Sequence, residues 1–150
     1  MSMNGSEVTS DRRIVEALRR KGYRATPQRI AICRSAIRSR DHPTAQRIYK
    51  EVKAQYPTVS LATVYKTIDV LKELHMVQEL AIVDGDTRFD SNMEAHVNLV
   101  CVRCGSVRDL DSQIVQDMIG KVARAARFDV TGQSFALYGV CRECDVRKEA

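Results

Sequence analysis

The feature that most constrains this chain is a pair of C-x-x-C motifs, Cys101-Val-Arg-Cys104 and Cys141-Arg-Glu-Cys144, with 36 residues between them. Two thiolates at that spacing can grip one side of a tetrahedral ion, and two such pairs complete the set. Zinc is the ion that soft sulfur donors and tetrahedral geometry select. The gap is longer than in a compact zinc ribbon, so the metal is expected to close a small domain rather than a single finger. Disulfides, a redox dithiol or an iron–sulfur ligand set are the other chemistries open to such cysteines. No apolar signal segment opens the chain, which predicts a reducing, cytoplasmic setting and counts against disulfides. A redox dithiol sits as one pair at a helix start, not two. Four thiolates leave no open position for water, so the expected zinc is structural.

Charge divides the chain. Lys and Arg number 16 against 11 Asp and Glu over residues 1–90, and 8 against 8 over residues 91–150. Within residues 1–59 the balance is 13 against 5. A basic N-terminal part joined to a neutral, metal-clipped part points to nucleic acid bound at one end. No stretch of 18 apolar residues predicts a membrane span. There is no metalloprotease histidine pair, no glycine-rich phosphate loop and no nucleophile elbow, so no enzyme and no small-molecule substrate is expected.

Residues 1–10 are polar and aperiodic and read as a disordered tail. From Asp11 a helix is expected, with Ile14, Ala17 and Leu18 on one face and Gly22 past its end. Thr26-Pro27 opens a second helix, with Ile30, Ile32, Cys33 and Ile37 inward and Cys33 as a small buried hydrophobe. Thr44 caps a third to about Gln55, and Tyr56-Pro57 ends it. Ser60 caps a fourth to about Leu74. Its stripe of Leu61, Val64, Ile68 and Leu71 faces the core, leaving Thr63, Lys66, Thr67 and Val70 outward and Tyr65 on the flank. Val77–Val83 and Thr87–Asp90 form a hairpin about Asp84-Gly85-Asp86.

Four helices and a hairpin make a winged helix-turn-helix over residues 11–90, with helix 60–74 as reader. Tyr65 can press on a thymine methyl, and Lys66 can reach phosphate or a guanine edge. Arg20, Arg24 and Arg29 are candidate phosphate contacts.

Residues 91–150 read as a small α/β unit, making the whole chain α+β. Strands are expected at Val97–Val100 and Ser106–Leu110, then a helix over Ser112–Arg127 with Ile114, Met118, Ile119 and Val122 inward. Strand-like stretches surround Gly132 before the second cysteine pair, and the last six residues form a charged tail. So little apolar surface needs zinc and self-association.

Of the three histidines, His75 follows the fourth helix and suits its last carbonyls. His42, Asp90, His96 and Asp109 offer two imidazoles and two carboxylates, a set suited to a first-row divalent ion such as iron(II) or manganese(II). Spread across the domain junction, they would let metal fix the reader against the second domain.

The order of elements, with Thr26-Pro27-Gln28-Arg29, His42-Pro43-Thr44-Ala45, Ala62-Thr63-Val64-Tyr65, Arg88-Phe89-Asp90 and Cys-x-x-Cys-Gly at 101–105, resembles the ferric uptake regulator family over residues 11–145. Within it the chain is most similar to the peroxide-sensing repressors. The resemblance implies a winged helix followed by an α/β dimerisation domain closed by a four-cysteine structural zinc. It implies homodimers that bind A/T-rich inverted repeats on double-stranded DNA when loaded with a regulatory divalent metal, and so repress genes of metal homeostasis or the peroxide stress response. It supports Tyr65 as a base contact and Lys66 as its basic neighbour. It places the regulatory ligands at His42, Asp90, His96, position 98 and Asp109. Position 98 departs from the pattern: it is Asn98 where the family has histidine, with Glu94 as a nearby substitute. Ala95 and Gln133 stand where relatives hold a further metal site, whose absence is expected. Aspartates at 90 and 109 favour the peroxide branch, in which bound iron reacts with hydrogen peroxide and a ligand histidine is oxidised; His42 and His96 would be the targets. The alternatives are a zinc-stabilised regulator that has lost metal sensing through Asn98, and a thiol redox enzyme.

Overall fold

Three helices of the chain start by one device. The hydroxyls of Thr26, Thr44 and Ser60 accept from the backbone N–H three residues on, at Arg29 (3.3 Å), Arg47 (3.2 Å) and Thr63 (3.1 Å). Each bond satisfies a donor that a helix N-terminus leaves open. The computed structural model describes residues 5–80, 86–111 and 113–145. The elements are α1 (Gly5–Arg20), α2 (Pro27–Arg38), α3 (Ala45–Gln55), α4 (Leu61–Glu73), β1 (Gln78–Leu80), β2 (Arg88–Asp90), β3 (His96–Cys101), β4 (Val107–Asp111), α5 (Gln113–Ala126), β5 (Ala136–Gly139) and α6 (Arg142–Asp145). The chain divides into two compact units, Met1–Glu79 with Thr87–Ser91 and Leu80–Asp86 with Asn92–Ala150.

In the first unit, Ile14 and Leu18 of α1, Ile32 of α2, Ile48 of α3 and Val64, Ile68 and Leu71 of α4 share one core, joined by Phe89 of β2. Each fully buried Ile or Leu contributes about 1.5–3 kcal/mol. Cys33 is buried there as expected, and burial pushes its thiol up to about 12. Asp11 clamps α1 to α2 through Arg34, whose guanidinium holds that carboxyl below its ordinary range. Strands β1 and β2 pair as a two-stranded sheet.

In the second unit the sheet order is β4-β3-β5. Strand β3 runs antiparallel to β4, with Asn98 opposite Asp109, and parallel to β5, with Val100 opposite Tyr138. Among the described residues no helix is long and apolar enough to cross a membrane.

Five expectations need correction. Helix α1 starts at Gly5, so residues 5–10 are not a tail. No Gly or Pro interrupts residues 6–20, and extending a helix already nucleated costs little. On α4, Thr67 and Val70 are buried rather than outward. The helix packs on both α2 and α3, which covers a wider arc than its apolar stripe. On α5, Ile114, Met118 and Val122 are exposed, Ile114 by 79%, and Val115 is the side chain that is buried. A stripe at helical spacing marks an apolar face but not what covers it. Of the strand-like stretches around Gly132 only the later one forms, as β5, with no strand between α5 and Gly132 among the described residues, and Asp145 belongs to α6 rather than a tail. The expected hairpin turn at 84–85, the strand residues 81–83 and Ser112 lie outside the described residues.

Helices α1, α4 and α5 end alike. The residue past the cap takes a left-handed φ: Gly22 at 79°, His75 at 53° and Arg127 at 50°. Tyr23 N–H reaches back to Leu18, Met76 to Leu71 and Phe128 to Ala123. This six-to-one bond satisfies a terminal carbonyl. His75 does so through its backbone, Nδ1 and Nε2 taking no part, while its own N–H donates to Lys72. Replacing His75 with Gly relieves a Cβ clash of about 1–2 kcal/mol and adds unfolded-state freedom of about 0.4–1 kcal/mol. His75→Gly is therefore expected to stabilise the chain by about 0.5–1 kcal/mol, read as a higher urea midpoint at unchanged slope.

Candidate metal centres and nucleic-acid interface

The four paired cysteines converge. Strand β3 ends at Cys101, and Gly105, at φ 71°, turns the chain back into β4 past Cys104. Gly105 N–H donates to Cys101 O (2.9 Å). Strand β5 leads into Cys141, and α6 carries Cys144. One sulfur from each lies within 4.8 Å of all the others. Around an ion with sulfurs at about 2.3 Å, tetrahedral edges are about 3.8 Å, and the Cys104–Cys141 separation is 3.7 Å. All five cysteines are unbridged.

The surroundings are those of thiolates. Backbone N–H groups of Cys104 and Cys141 lower the Cys101 thiol to about 6, and Cys141 N–H lies 3.3 Å from its sulfur. The Ser106 hydroxyl lowers Cys104 from 3.1 Å. Cys144 is pushed up to about 12, chiefly by sharing its proton with Cys141. Four sulfurs this close cannot all ionise beside one another without a cation. Arg103 donates to Cys144 O at 3.0 Å, and Arg108 pairs with Glu143 at 3.2 Å, tying the two cysteine segments together. Ser106 was not singled out from the sequence, although it stands directly after Cys-x-x-Cys-Gly.

The other candidate ligands fall on both units, and each unit holds its own polar pair. In the first, His42 lies in the turn between α2 and α3 with φ 51°, a conformation uncommon for a non-glycine residue. Phe89 N–H donates to Pro43 O (3.0 Å), Arg88 reaches His42 O (3.5 Å) and Ser91 Oγ donates to Ile37 O (2.9 Å). These bonds bring the end of β2 to that turn. His42 Nε2 then stands 3.7 Å from Asp90 Oδ1, with both side chains 2% exposed. Gln78 Nε2 donates to Asp90 Oδ2 at 3.2 Å.

In the second unit, His96, Asn98 and Val100 alternate onto one face of β3 and are buried. His96 Nδ1 lies 2.7 Å from Glu94 O. A carbonyl accepts only, so Nδ1 carries the proton and Nε2 is the acceptor nitrogen, the usual arrangement for a ligating imidazole. Gln133 Nε2 donates to the same carbonyl at 3.0 Å. Asn98 Nδ2 donates to Phe135 O at 3.4 Å. Asp109 is exposed and accepts from Asn92 Nδ2 at 3.5 Å. Gln78, Asn92 and Gln133 carry no sequence signal for these roles.

On α4, Tyr65 is 47% exposed and Lys66 is exposed beside it. Thr63 is half-buried, and its hydroxyl lies 2.9 Å from Ser60 Oγ in the helix cap rather than on the outward face. Arg20 and Arg24 are exposed. Arg29 is half-buried, donates to Arg24 O (3.0 Å) and lies 5.7 Å from the centre of the Tyr23 ring.

Residues 20–138 match the ferric uptake regulator family. The chain belongs to that family. A regulator of Staphylococcus epidermidis named peroxide-responsive repressor PerR is 38% identical over 130 residues, covering 87% of each chain. Its Staphylococcus aureus counterpart is 38% identical over 87% of this chain and 88% of its own. The Campylobacter jejuni peroxide stress regulator superposes with a TM-score of 0.73 at 30% identity, over 87% of this chain and 98% of that one. The Helicobacter pylori ferric uptake regulator shares the fold, with a TM-score of 0.78 at 16% identity over 97% of both chains. The family fold is thus a winged helix and an α/β unit, and the four-cysteine cluster fits zinc.

Loss of one thiolate should leave the other three without a closed site. Cys104→Ser is expected to abolish stoichiometric zinc and remove the second unit's cooperative melting, while α1–α4 keep theirs. Zinc analysis and thermal melts followed by circular dichroism check both.

Proposed function

We propose that this chain is a metal-dependent transcriptional repressor of the peroxide-responsive type that binds A/T-rich inverted repeats as a homodimer. The observation that carries the reading is α4, a capped helix with its inner arc buried on α2 and α3 and with Tyr65 and Lys66 turned outward. Tyr65 is the base contact of this reading and Lys66 its phosphate or guanine partner. Arg20 and Arg24 add phosphate contacts, and Arg29 supports them by holding the Arg24 carbonyl. Thr63 serves the cap of the reader. The exposed Leu99, Leu110, Ile114, Met118, Val122 and Leu137 supply apolar surface that a second copy covers. The protein acts in the cytoplasm, where thiolates stay reduced.

The regulatory ion is iron(II) or manganese(II), held by His42, Asp90, His96 and Asp109. The support is chemical. His42 and Asp90 are buried in contact, His96 has its Nδ1 proton fixed by Glu94, and Asp109 stands across the ladder from Asn98. Iron bound there supplies one-electron chemistry toward peroxide. The chain's part would be to offer the ion two imidazoles and two carboxylates. A second reading is favoured by Asn98, whose amide is hydrogen-bonded to Phe135 O: a zinc-stabilised regulator that no longer senses metal. A thiol redox role is the third reading. It requires a titratable thiol among the four cysteines in zinc-replete protein, whereas a closed site leaves none.

The deciding experiment titrates zinc-replete protein onto an A/T-rich inverted repeat at fixed salt, with manganese(II), iron(II) or no added ion. Metal should tighten binding strongly. His96→Ala should weaken metal affinity by more than the about 10–100-fold that loss of a supporting hydrogen bond costs. Tight binding that ignores metal would establish the second reading. Lys66→Ala should lower affinity and reduce the slope of log affinity against log salt by about 1 if Lys66 meets phosphate. Asn98→His should tighten manganese binding, measured by calorimetry. Iron-loaded protein exposed to peroxide should gain oxygen on His42 or His96 in peptide mass spectra and lose DNA affinity. Unmodified histidines with retained affinity would exclude peroxide sensing.

A further inference from the structure

Ala62, Tyr65, Lys66 and Asp69 are the exposed side chains of the first three turns of α4. They stand at offsets of 0, 3, 4 and 7. Helices that read the major groove present base-contacting side chains at these offsets, along two turns of one face. Three of the four have ready partners on DNA: Ala62 and Tyr65 suit thymine methyls, and Lys66 suits a guanine edge or a phosphate. Asp69 is the exception. Phosphates line both walls of the groove and repel a carboxylate.

Asp69 is nevertheless kept outward. Its side chain is 67% exposed, and Lys72 Nζ lies 3.6 Å from Oδ1. Lys72 is also bonded to Glu79, which shares its charge and holds it beside the helix. Asp69 is thereby oriented without being covered. An ionised carboxylate only accepts, so in a groove it needs a donor. Guanine presents acceptors at O6 and N7 and thymine one at O4; adenine pairs its N6 amino group with the N7 acceptor, which repels a carboxylate, whereas cytosine presents the N4 amino group alone. Asp69 lies four residues beyond Tyr65, about 6 Å along the helix axis, which places it roughly two base-pair steps from the base Tyr65 touches.

We propose that Asp69 is a specificity-determining residue that reads a cytosine amino group in each half-site of the operator. In an A/T-rich repeat, such a contact would fix the position of a G·C pair and set the register of the reader helix. The inference rests on the DNA-binding reading above.

The test selects bound duplexes from a library whose inverted-repeat half-sites are randomised, using zinc-replete, manganese-loaded full-length protein. The unaltered protein is expected to prefer cytosine at one symmetric position by about 5–100-fold. Asp69→Ala should flatten that position and leave the others unchanged. Asp69→Asn should move the preference toward adenine, whose N6 and N7 suit an amide. Zinc content and melting temperature of both variants should match the parent, since the side chain is exposed. An unchanged base profile in Asp69→Ala would overturn the proposal, as would loss of preference for a base other than cytosine. If the unaltered protein enriches no sequence, the DNA-binding reading fails and this inference with it. If it enriches a sequence that Asp69 does not influence, only this inference fails.

Discussion

The second unit depends on four sulfurs brought within reach of one cation. Cys101 and Cys104 come from the turn between β3 and β4, and Cys141 and Cys144 from the segment after β5. Closing a loop of roughly 40 residues restricts the unfolded chain by about 4 kcal/mol in the chain-entropy picture. A cation would also take the place of the proton that Cys144 shares with Cys141. The consequence reaches beyond the site itself. Cys101 ends the strand that His96 begins, with Asn98 between them. Fixing one end of β3 therefore helps fix the buried polar face at the other.

Buried polar groups are costly in either unit. His42 and Asp90 in the first unit and His96 and Asn98 in the second are all buried, and a buried polar group costs a few kcal/mol unless it is hydrogen-bonded. Asp90, His96 and Asn98 draw support from Gln78, from Glu94 O and from Phe135 O respectively, and His42 Nε2 faces the Asp90 carboxylate. His42 also keeps a left-handed backbone ahead of Pro43. Buried polarity combined with a sparsely populated conformation is a pattern of functional sites rather than of efficient packing. Asn98 shares the burial but carries an amide, a weaker ligand than an imidazole.

The reader helix combines opposite demands on thirteen residues. Val64, Thr67, Ile68, Val70 and Leu71 anchor it against the core of the first unit, and Ser60 with Thr63 seals its start. Thr67 is accepted in that core because its hydroxyl donates to Thr63 O at 2.7 Å. What remains outward over its first three turns is a narrow face of four side chains. Its mix of an aromatic ring, a cation and an anion gives it recognition chemistry that a uniformly basic helix lacks.

Local chemistry was legible in the sequence wherever a residue acts on its near neighbours. The caps at Thr26, Thr44 and Ser60, the stop at Gly22 and the closed set of four cysteines all follow from residue type and spacing. So did the membership of His42, Asp90, His96 and Asp109 in a candidate set, although not the amides of Gln78, Asn92 and Gln133 that brace it. Those partners are 12, 17 and 39 residues away from the groups they hold, and nothing in spacing marks them. Periodicity found the apolar stripes of α4 and α5, but tertiary packing decided their meaning. On α4, two neighbouring helices buried Thr67 and Val70 beyond the stripe. On α5, the stripe points to solvent within one chain. A sequence carries the amphipathic pattern because the chain must hide apolar area somewhere. Only the fold determines whether its own core or a second copy does the covering.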